Sequence, residues 1–408
     1  MTTSLPDAAP LPNTRSPECP FDPPAELAGL REKHPVSPMA FPDGHVGWLV
    51  TTHALVRAVL SDPRFSARAE LLHFPVPGPT ATAKPRPAPP GIFTQTDPPE
   101  HTRYRHLLTG QFTVRRMRGL TERVQEIASD HLDAMERHGP PVDLMRSFAL
   151  PIPSLVICEL LGVPYSDRES FQEHSTALMR LDNSPQEMFA AYNALRDFMG
   201  KLVLAKRAKP TDDLLSGLTT SGLTDEELTN IGFTLLGAGH ETTANMLSLG
   251  AFALLRHPDQ LAVLRADPGG IDQAVEELLR YLSIIPCTVR VALEDVELGG
   301  QTIKAGQTVT LSVPAANRDP QRFADPDSLD LRRSASGHVA FGHGIHQCIG
   351  QQLARVEMRV GYAALFERFP TLRLAVAPEE VPLRDDMLIY GVHSLPVTWD
   401  ATLRDGDV

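Results

Sequence analysis

Apolar positions recur at helical spacing along most of the chain, as in PAELAGLREKH, TERVQEIASDHLDAMERHG, SFALPIPSLVICELLG and AAYNALRDFMGKLVLAKRA. A helix with one or more buried faces is predicted for each. Strand-like stretches are short: VGWLVTT near the start, VELGGQTIKAGQTVTLSV as a hairpin, and LPVTW near the end. The pattern predicts a mainly α fold with small β-sheets at one side. No Gly/Ser linker and no internal repeat divides it, so a single domain over residues 1–408 is expected, with residues 1–20 flexible.

Two stretches break the pattern. Residues 74–91, FPVPGPTATAKPRPAPPG, are too proline-dense for an interior helix or strand. They read either as a surface loop or as a lid over a site. The second stretch runs from Leu223 to Pro258. Thr224 and Glu227 have capping-box spacing, and Asp225 and Glu226 suit a helix N-terminus. A helix of about thirty residues, roughly 45 Å long, would follow. It is apolar enough to suggest a membrane span, but His240, Glu241 and Asn245 argue for burial in a large core. Inside it lies GAGHETT. Gly237 and Gly239 each cost about 1 kcal/mol in a helix interior, which close approach of a ligand would offset. Glu241 is a carboxylate in apolar surroundings and needs a partner. Thr242 can bond its own i−4 carbonyl or release it, which predicts a local distortion. The two are either a structural acid with its neighbour or a pair that passes protons to a ligand. A zincin site is excluded, because Ala244 stands where its second histidine would be.

Composition narrows the class. The 408 residues carry a net charge of −12, which argues against nucleic-acid binding. The first twenty residues hold no apolar run, so neither signal peptide nor membrane anchor is expected, and a cytoplasmic location follows. The four cysteines form no CxxC pair, which disfavours structural zinc and iron–sulfur clusters. One of them sits in FGHGIHQCIG, residues 341–350, just before a helical run. A helix N-terminus favours the thiolate, and Gly342, Gly344 and Gly350 let backbone come close to the sulfur and to a planar ligand. Four fates stay open for Cys348: a phosphatase-type nucleophile, a zinc ligand with His343 and His346, an axial thiolate on haem iron, and an inert packed thiol.

Taken together, the motifs resemble the cytochrome P450 family of haem-thiolate monooxygenases. Phe341, Gly344, Cys348 and Gly350 match the fixed positions of its Phe-x-x-Gly-x-x-x-Cys-x-Gly signature. Ala238 to Thr242 resemble its oxygen-binding helix, and Glu277 and Arg280 its Glu-x-x-Arg motif. The resemblance spans essentially the whole chain. It implies haem b between the long helix and the cysteine-loop helix, with Cys348 as the iron's axial ligand. It implies propionate contacts from His101, Arg105, Arg290 and His346. By the same resemblance Arg333 completes a structural triad with Glu277 and Arg280, although Leu329 stands where an aromatic is common. Glu241 and Thr242 become the acid–alcohol pair that supplies protons during oxygen activation.

No flavin or nucleotide fingerprint is apparent, so electrons from NAD(P)H are expected through an external ferredoxin and its reductase. Arg115, Arg116, Arg118, Arg355 and Arg359 predict a basic docking patch on the cysteine side. The resemblance is to soluble actinobacterial members, which implies a monomer hydroxylating a polyketide, terpenoid, steroid or drug-like molecule with O2. Ile92, Phe93, Leu235, Ala238 and Val289 are the expected pocket walls. The rival functions are a peroxide-driven peroxygenase, a non-catalytic haem-thiolate sensor, and a zinc hydrolase at His343, His346 and Cys348.

Overall fold

The computed structural model describes residues 7–78, 81–111, 114–164, 174, 177, 178 and 180–402. Its helices are α1 (Glu26–Lys33), α2 (His53–Ser61), α3 (Glu100–Thr109), α4 (Val114–His138), α5 (Pro151–Leu161), α6 (Pro185–Ala208), α7 (Leu214–Leu218), α8 (Asp225–Arg256), α9 (Pro258–Ala266), α10 (Ile271–Leu282), α11 (Val313–Asn317) and α12 (Gln351–Arg368). The strands are β1 (Val36–Ala40), β2 (Val46–Val50), β3 (Phe65–Ser66), β4 (Val142–Asp143), β5 (Cys287–Ala292), β6 (Val296–Leu298), β7 (Gln301–Ile303), β8 (Thr308–Ser312), β9 (Arg373–Leu374) and β10 (Pro396–Thr398). A five-stranded sheet has the order β1-β2-β8-β5-β3, and β2 and β8 run parallel. A smaller sheet joins β4, β10 and β9, and β6 and β7 pair as the expected hairpin. The mainly α fold with small sheets is therefore the one the apolar pattern predicts.

Helix α8 is the axis of the molecule. Its start is fixed chemically: the Thr224 hydroxyl accepts the Glu227 N–H at 3.2 Å, and the Glu227 carboxylate accepts the Thr224 N–H at 2.7 Å. It is buried along nearly its whole length and packs against α5, α6 and α12. No described helix is long and apolar enough to cross a membrane. Gly239 is explained by packing, since a Cβ there would lie 2.8 Å from Ile157 of α5. The expected distortion at Thr242 is absent: its hydroxyl donates to Ala238 O at 2.9 Å and α8 runs through unbroken.

The segment between α11 and α12 has little regular structure, so side chains hold it. Arg280 donates to both oxygens of Glu277, at 2.7 and 2.8 Å, and to the carbonyls of Asn317 and Pro326. Both side chains are fully buried. Arg333 completes the arrangement with a 3.1 Å bond to Glu277. Asn317 passes the constraint on by accepting the Val339 N–H at 2.8 Å, two residues before the cysteine loop begins.

Two segments outside the regular elements make definite contacts. From the chain start, expected to be flexible, Ala9 bridges Met39, Leu11 is buried, and Arg15 donates to the carbonyls of Leu282 and Ser283. In the proline-rich stretch Val76 and Ala81 are buried. Its far end is tied to α8, where Asn230 donates to Pro90 O at 2.7 Å.

Candidate functional site

The cysteine loop is built by three constraints. The Cys348 N–H donates to Phe341 O at 2.9 Å and closes the loop on itself. Gly342 and Gly344 take φ of +71° and +73°, which L side chains rarely adopt. A Cβ at Gly344 would also lie 2.3 Å from Leu60 O, so this glycine is required by the approach of α2. Phe341 is pinned from outside by the Arg355 guanidinium, 4.7 Å from its ring centroid. Gly350, with open space around it, is the N-cap of α12.

Loop and α8 face each other across a cavity of about 360 Å³. Cys348 is exposed only in the sense that it opens onto this space. Burial pushes its thiol up, against the pull of the Gly350 and Gln351 N–H groups and of Arg105 and Arg355. The helix N-terminus thus favours the thiolate as expected, but burial outweighs it for the bare thiol. Thr242, Leu235 and Ala238 line the cavity from α8, and Phe93 from the end of the proline-rich stretch. Ile92, which is buried, and Val289 are not among the residues lining this cavity, whereas Thr288 and Ile285 are.

At one edge of the cavity lies a cluster with an unmet electrostatic need. His101 is 2% exposed and neither ring nitrogen has a partner. Its ring lies 4.1 Å from that of His346, whose Nε2 is also unpartnered. Arg105 reaches Gln347 O at 2.6 Å, and Arg290 reaches Val289 O at 2.7 Å. Burial pushes Arg290 down to about 10, and burial together with Arg290, His101 and Arg105 pushes His346 down to about 3. Two guanidiniums and two imidazoles converge here with no carboxylate bonded to any of them among the described residues. Buried donors so arranged fit a ligand that carries carboxylates.

Glu241 is placed differently from its neighbour. It is 2% exposed, is absent from the cavity lining, and receives a 2.8 Å bond from Arg384. Sequence reasoning missed Arg384, because no spacing relates it to α8. It also missed Glu357 of α12, which lines the cavity beside Thr243. Burial pushes that carboxyl up to about 8, and one oxygen has no partner. The expected basic patch is not free charge. Arg355 pairs with Glu276, Arg359 with Asp272 and Arg116 with Asp212. Acids on α10 thus neutralise the arginines of α12. The side chains of Arg115 and Arg118 lie outside the described residues. The zinc alternative finds no support, since no group of three or more described His, Cys, Asp or Glu side chains is placed to hold a metal ion.

Comparison with known proteins bears on the same chemistry. The family model described as Cytochrome P450 matches residues 171–267 and 271–394. Cytochrome P450 105C1 of a Streptomyces species is 53% identical over 93% of this chain and 96% of its own. Pentalenic acid synthase of Streptomyces avermitilis is 47% identical over 96% of this chain and 98% of its own. The crystal structure of CYP105P1 in complex with filipin I superposes with a TM-score of 0.91 at 46% identity, over 97% of this chain and 99% of that one. Relatives this similar over nearly their full length, on a fold that sets a lone cysteine across a cavity from a long buried helix, make this chain a member of the cytochrome P450 family of haem-dependent monooxygenases.

Proposed function

We propose that this chain, acting as one catalytic unit over its 408 residues, inserts one oxygen atom of O2 into a C–H bond of a bulky apolar small molecule. The second oxygen leaves as water, using two electrons and two protons. The observation that carries the reading is that Cys348 and His346 border one apolar cavity, with the unpartnered His101 packed against His346.

Cys348 would ligate the iron of haem b, and His101, Arg105, Arg290 and His346 would take its propionates. Phe341, Gly344 and Gly350 shape the loop that presents the sulfur. When bound, the haem supplies oxygen activation. The chain's own residues do the rest. Phe93, Leu235 and Ala238 hold the substrate and exclude water. Thr242 keeps its proton on Ala238 O, within the cavity wall, ready to be redirected. Glu241, one residue away, is the acid that replenishes it. Keeping both side chains favours O2 over peroxide as oxidant. No nucleotide or flavin fingerprint is present in the sequence, which supports electrons arriving from NAD(P)H through a ferredoxin and its reductase. The names pentalenic acid synthase and the filipin I complex, which belong to the relatives, support a substrate of the size of a terpenoid or polyketide.

The test is the absorbance of the dithionite-reduced protein with and without carbon monoxide. A strongly red-shifted Soret band is expected, and Cys348→Ala should abolish it. A wild-type-like spectrum in that variant would remove Cys348 as the ligand. Product formation from screened substrates with a ferredoxin system, and none with peroxide alone, separates the monooxygenase from the peroxygenase.

A further inference from the structure

Glu241 and Thr242 are neighbours in sequence, but their side chains serve different spaces. Thr242 lines the central cavity, whereas Glu241 does not. The Glu241 carboxylate is held by Arg384, which is 4% exposed and belongs to the irregular segment before β10. That segment is rigid where it matters: the Arg384 N–H donates to Gly391 O at 3.0 Å, and Leu383 bridges Val392 beside it.

Arg384 has a second face. Together with Asn13, Arg15, Asp385 and Tyr390 it lines a small cleft of about 30 Å³ under the N-terminal segment. A site of that size with those polar walls is suited to a water molecule. The Arg384 Nε is buried and has no partner. Arg384 thus lines the cleft and bonds Glu241, whose neighbour Thr242 lines the central cavity. The contact runs through one nitrogen, Nη1, to one oxygen, Oε2, and is not the two-pronged fork that binds a carboxylate most firmly. Such a contact compensates a buried charge through a single hydrogen bond.

We propose that Arg384 is the positioning residue for proton supply: it parks the Glu241 carboxylate against the N-terminal cleft, and protons pass from that cleft through Glu241 to Thr242. This rests on the reading of Glu241 and Thr242 as the proton-handling pair. Among the groups facing Glu241 are Arg384 from the C-terminal segment and His240 from α8, whose Nε2 lies 3.7 Å away. Behind Arg384 stand Arg15, Asp385 and Tyr390. Without Arg384, a buried carboxylate loses the cation bonded to it and takes up a proton.

The experiment compares wild type, Arg384→Met, Arg384→Lys, Glu241→Gln and the double variant Arg384→Met/Glu241→Gln, each as holoenzyme with its carbon monoxide spectrum checked. The first readout is the infrared absorption of protonated carboxyl groups, which needs no turnover. Arg384→Met should gain a band at neutral pH that the wild type lacks and that Glu241→Gln removes. The second is oxygen uptake driven by a plant-type ferredoxin and its reductase in H2O and D2O. Arg384→Met should raise the solvent isotope effect and peroxide yield to the level of Glu241→Gln, and the double variant should go no further. Arg384→Lys, which keeps the charge, should lie between wild type and Arg384→Met; it decides the matter by the same readouts if Arg384→Met does not retain haem. Wild-type values in the Arg384 variants, or effects that add to those of Glu241→Gln, would overturn the role of Arg384. Wild-type values in Glu241→Gln itself would instead overturn the proton-handling reading on which it rests.

Discussion

Glu357 is a carboxyl in the wrong solvent. It lies on the helix that follows the cysteine loop, 1% exposed and lining the cavity. Burial pushes it up to about 8, with a bond to the Thr243 side chain pulling weakly the other way. In the unfolded chain the same group releases its proton near the ordinary glutamate value. Between that value and about pH 8 the folded state holds one more proton, so stability falls as pH rises, by about 1.4 kcal/mol per pH unit. Glutamine has no proton to lose. The stability of Glu357→Gln relative to wild type should therefore grow in the variant's favour from pH 5 to pH 8. Thermal unfolding of the two holoenzymes across that window checks it, and a constant difference would refute the burial argument. Residues such as Glu357 and Arg384 are illegible in sequence for one reason. Their importance lies in what they lack or meet in space, and no local spacing encodes it. Cys348 is legible because its loop must satisfy several short-range constraints at once, and glycines at fixed offsets record them.

Among the elements, α8 shows how far a local signal reaches. Thr224 and Glu227 announce the cap in sequence, and the structure contains it. Yet the same Glu227 carboxylate also receives Arg103 at 2.5 Å and the Tyr104 hydroxyl at 2.9 Å, both from α3. Tyr104 in turn accepts the Gly91 N–H at the end of the proline-rich stretch. One acid thus ties α3, α8 and Gly91 together. The capping box is readable because its partners are three residues apart. The clamp is not, because Arg103 lies 124 residues from Glu227. Burial alone would push this carboxyl up, but bonds from Arg103, Thr224 and Tyr104 outweigh it and hold it at about 2. Its stabilising contribution is full above the ordinary glutamate value and is lost as pH falls towards 2. Glu227→Gln should cost roughly 1–3 kcal/mol at pH 7 and increase amide exchange over residues 81–93. In urea unfolding its deficit relative to wild type should shrink as pH falls to 3. A deficit equal at both pH values would mean that charge plays no part in the clamp. Helices α10 and α12 carry a related lesson. The arginines of the expected docking face are visible in sequence, whereas Glu276 and Asp272 that cancel them arrive from another helix.

For the molecule as a whole, the question is how a long irregular segment delivers a cysteine loop to within reach of α8. The apolar pattern predicts the helices and the small sheets, because period and turn chemistry are local. The path from Asn317 to Phe341 has no period to read, so only the Glu277 and Arg280 spacing hints at what secures it. There, Arg280 collects the carbonyls of Asn317 and Pro326 while Glu277 neutralises it and accepts the Asp330 N–H at 3.0 Å. Arg333 then fastens the end of the segment, and Asn317 holds Val339 beside the loop. Position and charge balance are coupled at this one point. Removing the acid alone leaves a fully buried guanidinium uncompensated, which should cost about 3–5 kcal/mol. Glu277→Gln keeps the volume and removes the charge, so it isolates that effect. The variant should unfold at markedly lower denaturant and be recovered with little haem, although Cys348 and the cluster of His101, Arg105, Arg290 and His346 are untouched. Denaturant unfolding and the haem-to-protein ratio measure the two consequences separately. Lost stability with full haem loading would mean that the cysteine loop holds its shape without the triad. Unchanged stability would mean that the carbonyls of Asn317, Pro326 and Ser328 suffice to keep Arg280 in place.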